Sequence, residues 1–293
     1  MPRTYSPLRY PGGKTQLSRF VMQLLELNNL DDIIYAEPFA GGFGAGLELL
    51  FKNKVSSVII NDYDIAIYSI WYAILNETDR FINDINNTEI TIHEWEIQKD
   101  KYNKLIDEKI YSYELAFATY YLNRTNRSGI ITGGPIGGKN QSGNYKLDCR
   151  FNKNDLIKKI VRISNYKDKI QLYNMEANEF VEKIILKHNP NEIFIFFDPP
   201  YYEQGKNLYT NFFKHEDHLN LQEKINNLSN YYWILTYDNK DEILSIYKNY
   251  VKYLYSINYS ASNVRKAKEI LIPSSKVKLD SIDSICIETI YNI

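Results

Sequence analysis

IFIFFDPPYYEQG occupies residues 193–205. A run of bulky apolar residues from Ile193 to Phe197 stops at an aspartate, and two prolines and two tyrosines follow at once. A short continuous apolar run closed by a turn signal predicts a strand buried on both faces, as in a parallel sheet. Such a strand places Asp198 at the carboxyl edge of the sheet, where open α/β sheets take their ligands. Pro199 and Pro200 have fixed φ and no amide proton, yet their carbonyls remain as rigidly held acceptors. Tyr201 adds a flat face. These four residues suit a planar base with an exocyclic amino group, because they offer a surface for stacking and acceptors for both N–H protons. Drawing the protons toward acceptors favours a pyramidal nitrogen whose lone pair can point at an electrophilic methyl. That chemistry rests on preorganised geometry and charge, with no covalent enzyme intermediate and no metal.

Outward from this stretch, strands and helices alternate. DDIIYAEPFAGGFGAGLELL (31–50) reads as a strand, a glycine turn and a helix, and VSSVIINDYD (55–64) as a strand ending in acids. IAIYSIWYAIL (65–75) has helical spacing. KIQLYNM (169–175) and YYWILTYD (231–238) read as strands. ANEFVEKIILKH, HEDHLNLQEKINNL (215–228) and DEILSIYKNY read as helices. VKYLYSI and EILIP are strand-like and are predicted to close as an antiparallel hairpin at one edge. The alternation predicts an α/β fold with a mostly parallel, Rossmann-like sheet. Residues 76–169 differ in character. They are polar, with helices predicted near 93–108, 112–123 and 151–166 and a glycine-rich, hairpin-like segment at 128–146. The expected organisation is a sheet domain formed by 1–75 and 166–293, interrupted by a mainly helical insert at 76–165. The tail, 274–293, is assigned to neither strand nor helix.

Two glycine turns carry further chemistry. EPFAGGFGAG (37–46) follows a strand and opens a helix, where glycine lets a ligand approach the backbone and permits positive φ. It departs from the dinucleotide fingerprint, because Leu47 stands where the third glycine belongs. A ligand without phosphates fits better, lying over the strand ends beside Glu37, Pro38, Phe39, Gly41, Gly42 and Gly44. Asp62 follows at roughly 20 residues, the distance at which an acid holds a ribose diol. LRYPGGKTQL (8–17) is a second turn, flanked by Tyr10 and Lys14.

The totals set limits. The 293 residues carry a formal net charge of −1, so a nucleic-acid partner requires a local basic face. Between Tyr120 and Lys169 eleven basic residues face three acids, an excess of eight positive charges, and the remainder is about −9. Arg124, Asn126, Arg127, Lys139, Asn140 and Gln141 are the candidate donors to nucleic acid there. Cys149 and Cys286 are expected to be reduced and buried or half-buried, and His93, His188, His215 and His218 form no ligand set. His215 and His218 are taken as surface residues. The N-terminus lacks the apolar core of a signal peptide, and no run reaches membrane-spanning length, so a cytoplasmic protein is expected.

In this order, RYPGGK, EPFAGGFGAG and IFIFFDPPYY resemble the motifs of the Dam-like, alpha-class (D12) DNA adenine-N6 methyltransferases. FATYYLNRTNRSGI (117–130) is similar to that family's start of target recognition. The resemblance spans roughly residues 5–273. It implies a class I methyltransferase sheet, S-adenosylmethionine as cofactor, double-stranded DNA as partner and transfer to adenine N6 by base flipping. Carried over, Tyr10, Lys14, Asp62 and Asp198 match cofactor contacts, and Gly41, Gly42 and Gly44 match the loop. Asp198, Pro199 and Tyr201 match the catalytic pocket. Tyr10 departs from a common tryptophan. Cytosine N4 or RNA adenine as acceptor, and a DNA-binding protein of the same fold without transfer activity, stay open as alternatives. A cognate restriction endonuclease as partner, a phage-borne enzyme and a solitary methylase are all compatible with the sequence.

Overall fold

The computed structural model describes residues 4–10, 17–202, 213–259, 265–279 and 287–290. The helices are α1 (Ser18–Leu27), α2 (Gly44–Phe51), α3 (Ile65–Asn76), α4 (Thr78–Asn87), α5 (Ile92–Leu105), α6 (Tyr113–Thr125), α7 (Lys153–Ser164), α8 (Ala177–Lys183), α9 (His215–Asn226) and α10 (Asp241–Ile246). The strands are β1 (Ile34–Glu37), β2 (Ser57–Asn61), β3 (Ile170–Tyr173), β4 (Ile193–Phe197), β5 (Tyr232–Asp238), β6 (Lys252–Tyr259), β7 (Arg265–Pro273) and β8 (Ile287–Ile290). They form one sheet in the order β3-β2-β1-β4-β5-β7-β6-β8.

β1 pairs in parallel with β2 on one side and β4 on the other, and β3 and β5 extend the parallel part. The chain therefore leaves β1 in one direction and later returns past it. That makes the β1/β4 boundary the topological switch point, with a crevice beyond the strand ends. β7 runs antiparallel between β5 and β6. The hairpin predicted at the edge thus lies inside it, and β8, from the unassigned tail, covers the outer side of β6. A four-residue edge strand of sequence IETI is too short to announce itself by alternation.

β4 shows why its run is apolar throughout. Phe194 and Phe196 enter one core cluster, with α1, α2 and α3, while Ile193, Ile195 and Phe197 enter the other, with α8, α9 and α10. Successive side chains of a strand point to opposite faces, so a strand covered on both sides must be apolar at every position. The first cluster continues without a break through α3 into α4–α7, where Phe81 meets Tyr113, Phe117 and Tyr120 edge-on. The segment after residue 76 therefore packs on the sheet through α3. Side-chain caps start several helices: Asp64 accepts from Ala66 N, Thr91 from Glu94 N, Ser112 from Leu115 N and Asn152 from Asp155 N. α4 had no counterpart in the sequence reading; its polar face outweighs a stripe of two buried residues, Phe81 and Ile85.

The segment 128–146 is a series of turns, held by a single antiparallel bridge between Asn126 and Pro135 instead of a hairpin ladder. The cause is local. The Asn126 side chain donates to the carbonyls of Ile130 and Ile131, which curls the chain back before a ladder can run.

On α3, Trp71 is fully buried and its Nε1 donates to the Gly41 carbonyl at 2.9 Å, which fastens the glycine turn to the core. Trp71→Phe keeps most of the ring and removes the donor. The expected loss is about 1–3 kcal/mol, read as a lower urea midpoint with an unchanged slope.

Candidate active site

The parallel strands deliver three acids to one crevice. Glu37 ends β1, Asp62 follows β2 and Asp198 follows β4. They line a cavity of about 460 Å³ together with Tyr10, Pro38, Phe39, Gly42, Gly44 and Pro200. Pro199, Gly41 and Tyr201 are not on its wall: Pro199 and Gly41 are buried and Tyr201 is half-buried. Lys14 falls outside the described residues. The cavity also takes in residues that the sequence reading passed over, among them Tyr63, Asp64, Glu176, Phe213, Lys214 and Asp217. Tyr63 carried a readable signal, an aromatic residue directly after the acid that follows β2. Phe213 faces Phe39 edge-on, with ring centroids 5.6 Å apart.

The glycine turn is tight for a reason internal to the protein. Gly41 has φ +48°, and a Cβ built there would lie 2.6 Å from the Tyr10 ring; at Gly42 it would lie 3.0 Å from Tyr10 Cβ. The side chain that comes close to the backbone here is Tyr10, where a ligand had been expected, so the first motif and the glycine turn form one unit. Asp62 closes the unit. Its Oδ2 accepts from Gly41 N at 2.8 Å and its Oδ1 from Asp64 N at 3.0 Å. Phe43, the residue before α2, sits at φ +48°, a left-handed conformation that costs a bulky residue about 1–2 kcal/mol. Its buried ring, packed edge-on against Trp71, holds it there.

Burial dominates the electrostatics. It pushes the Glu37 carboxyl up to about 8, helped by the nearby Asp198 and opposed by the hydrogen bond from Tyr35. The Tyr35 hydroxyl donates to Glu37 Oε1 at 2.7 Å. Burial and the neighbouring Asp64 push Asp62 up to about 7, against the bonds from Gly41 and Asp64 amides. Asp198 Oδ1 accepts from the Thr236 hydroxyl at 2.8 Å. Among the described residues the cavity is lined by six carboxyl side chains and one cationic side chain, Lys214, a balance that favours a positively charged ligand.

The matching family model is that of the D12 class N6 adenine-specific DNA methyltransferases, over residues 10–264. The chain belongs to this family. It is 24% identical over 220 residues to the Type II methyltransferase M.MjaIII of Methanocaldococcus jannaschii, covering 71% of this chain and 73% of that protein. It is also 24% identical over 270 residues to the Type II methyltransferase M.CviBI of Paramecium bursaria Chlorella virus NC1A, covering 86% and 90%. The protein is thus an enzyme, an adenine-specific DNA methyltransferase with a Rossmann-like sheet.

The basic segment of this methyltransferase divides into structural and surface residues. Asn126 is fully buried, and its Oδ1 accepts from Trp95 Nε1 at 2.7 Å while its amide holds the two carbonyls described above. Arg124 donates to the carbonyls of Arg150 and Pro7. The Gln141 amide donates to Ile136 and Gly138 carbonyls and its Oε1 accepts from Leu147 N. These three side chains organise the loop: Asn126 is buried, and Arg124 and Gln141 are half-buried with their donors on backbone carbonyls. Buried polar groups must find partners inside the fold, and the sequence does not say which ones are buried. Arg127, Lys139 and Asn140 are exposed, with Lys139 paired to Glu96 at 3.1 Å. Other basic residues also serve the fold: Lys153 donates to the last carbonyls of α4, and Arg162 lies over the Tyr5 and Phe51 rings. His218 corrects a further expectation. It is fully buried and its Nδ1 bonds the Tyr237 hydroxyl at 2.8 Å. Its place three residues before Leu221 and seven before Ile225, on the apolar stripe of α9, was the missed signal. Cys149 is exposed, and Cys286 lies outside the described residues.

Two outcomes follow from the turn and from Glu37. Gly41→Ala is strained by its φ and by the Tyr10 ring, with an expected cost of about 2 kcal/mol or more. In a double-mutant cycle Tyr10→Ala should recover the part due to the clash, measured by denaturant unfolding. Glu37 binds its proton more tightly in the folded than in the unfolded chain, so its contribution to stability falls as pH rises from its ordinary 4.5 to about 8. Glu37→Gln should flatten the decline in unfolding free energy between about pH 5 and about pH 8.

Proposed function

We propose that the cavity binds S-adenosylmethionine and that the residues around Asp198 hold an adenine swung out of double-stranded DNA. The observation that carries this is the meeting of Glu37, Asp62 and Asp198 at one switch-point cavity, beside an Asp-Pro-Pro-Tyr segment. The cofactor, with sulfonium and ammonium groups, suits a wall of carboxyl side chains. Glu37 and Asp198 would face its charged end, and Asp62, with lone pairs beyond those used by the backbone, its ribose. Tyr63 and Phe39 offer apolar faces to its base. Tyr10, Lys14, Pro38 and the glycines Gly41, Gly42 and Gly44 complete the cradle, with Gly41 acting through the shape of the turn. When bound, the cofactor supplies an electrophilic methyl group.

The chain's own residues prepare the acceptor. The Asp198 carboxylate and the Pro199 carbonyl accept the two protons of the adenine amino group and turn its lone pair away from the ring. Tyr201 stacks on the base, and Pro200 keeps the segment rigid. Extruding a base costs a few kcal/mol, and stacking on an aromatic side chain returns about 1–3 kcal/mol of it. Arg127, Lys139 and Asn140, exposed on the basic segment, contact the DNA, and residues 76–165 serve as the target-recognition unit on the methyltransferase core of 1–75 and 166–293. The Type II names of the two relatives favour a place in a restriction–modification pair with a cognate endonuclease. Among the described residues no helix is long and apolar enough to cross a membrane, which suits an enzyme acting on DNA in the cytoplasm.

The test is direct. Asp198→Ala should lower methyl transfer by on the order of 10²–10³-fold, while DNA binding by mobility shift remains measurable. A normal transfer rate in that variant overturns the assignment of the pocket. Sequencing of modified bases in DNA from cells expressing the enzyme reports base and target together, and N6-methyladenine at one short motif is the expected result.

A further inference from the structure

The last three residues of β5 are Thr236, Tyr237 and Asp238, and each one's side chain reaches the segment that follows β4 or the helix behind it. Successive residues of a strand point to opposite faces, so Thr236 and Asp238 share one side and Tyr237 takes the other. Thr236 is fully buried and its hydroxyl donates to Asp198 Oδ1 at 2.8 Å. Asp238 Oδ1 accepts from Tyr202 N at 3.0 Å. On the far side the Tyr237 hydroxyl bonds His218, whose ring lies 5.2 Å from that of Tyr202 and 5.3 Å from that of Phe213. The Tyr202 hydroxyl also meets His215 Nδ1 at 3.1 Å.

The chemistry of the segment explains why such external support is needed. Pro199 and Pro200 have no N–H, so two consecutive residues between Asp198 and Tyr201 have no backbone donor to fasten them. Proline fixes φ at each of them but leaves the orientation of the whole segment to its ends. β5 grips both ends, the carboxylate of the first residue and the amide of the residue after Tyr201. A carboxylate with one oxygen tied to a buried hydroxyl cannot rotate freely, so the direction of its other oxygen is set. A misplacement of about 1 Å costs on the order of a hundredfold in rate when the reaction depends on alignment.

We propose that Thr236 and Asp238 are positioning residues for methyl transfer, a brace from β5 that aims Asp198 and holds the Asp198–Tyr201 segment at both ends. The inference rests on the proposed role of that segment in holding the amine. Neither side chain lines the cavity, so both act through Asp198 and Tyr202.

The experiment compares Thr236→Val, Thr236→Ser, Asp238→Ala and Asp238→Asn with Asp198→Ala. It measures kcat, KM for DNA and for S-adenosylmethionine, and the thermal midpoint. Thr236→Val keeps the shape and loses the donor. It should lower kcat about tenfold to a hundredfold with both KM values within about twofold. Thr236→Ser, which keeps the hydroxyl, should restore most of the rate. Asp238→Ala should lower kcat in the same way, and Asp238→Asn, which retains an acceptor for Tyr202 N, should not. A wild-type kcat in Thr236→Val or in Asp238→Ala overturns the brace, as does a loss in Thr236→Val that serine does not repair. If Thr236→Val fails to fold, the two Asp238 variants decide. Full activity in Asp198→Ala overturns the reading of the pocket itself, whereas an inactive Asp198→Ala beside normal β5 variants overturns the brace alone.

Discussion

A buried carboxyl group, Glu37, held beside a half-buried one, Asp198, is the constraint on which the site turns. Glu37 ends β1, Asp198 follows the adjacent parallel strand β4, and Asp198 raises the Glu37 carboxyl through space. Hydrophobic burial of β1 and β4 on both faces holds them there, since neither strand can slip in register without driving its apolar residues out of both cores. Large apolar burial thus stabilises a small, unfavourable electrostatic arrangement that a cationic ligand would relieve. Functional sites often concentrate perturbed groups in this way.

Around these acids the motifs depend on one another. The Tyr10 ring occupies the space that the absence of side chains at Gly41 and Gly42 leaves open. Asp62 ties the end of β2 to Gly41, and Trp71 ties Gly41 to α3. α3 in turn carries the helices of the basic segment through a continuous core. The cavity and the helices after residue 76 are therefore parts of one packed body, and a shift in α3 would be felt at both.

The charge of the chain is also spatially sorted. The cavity is acidic and the segment from Tyr120 to Lys169 is basic, which a total of −1 conceals. Part of that positive charge serves the fold, in carbonyl contacts by Arg124 and Lys153 and in ring contacts by Arg162. Of the six candidate donors Arg127, Lys139 and Asn140 are exposed, and Lys146, Lys158, Lys167 and Lys169 add further exposed positive charge to the segment.

Local chemistry made the central strands, the glycine turn and the Asp-Pro-Pro-Tyr segment legible, because doubly buried strands are apolar at every position and sharp turns demand glycine or proline. The motifs of a DNA adenine methyltransferase were visible for that reason. What the sequence alone left undecided were matters of partnership. Whether Asn126 points to solvent or into the core, whether His218 is a surface residue, where β7 inserts, what lies against Gly41 and which hydroxyl holds Asp198 are each settled by a contact between residues distant in the chain. Tertiary packing decides them, since a polar side chain becomes a structural donor or a surface one only when burial removes water as its alternative partner.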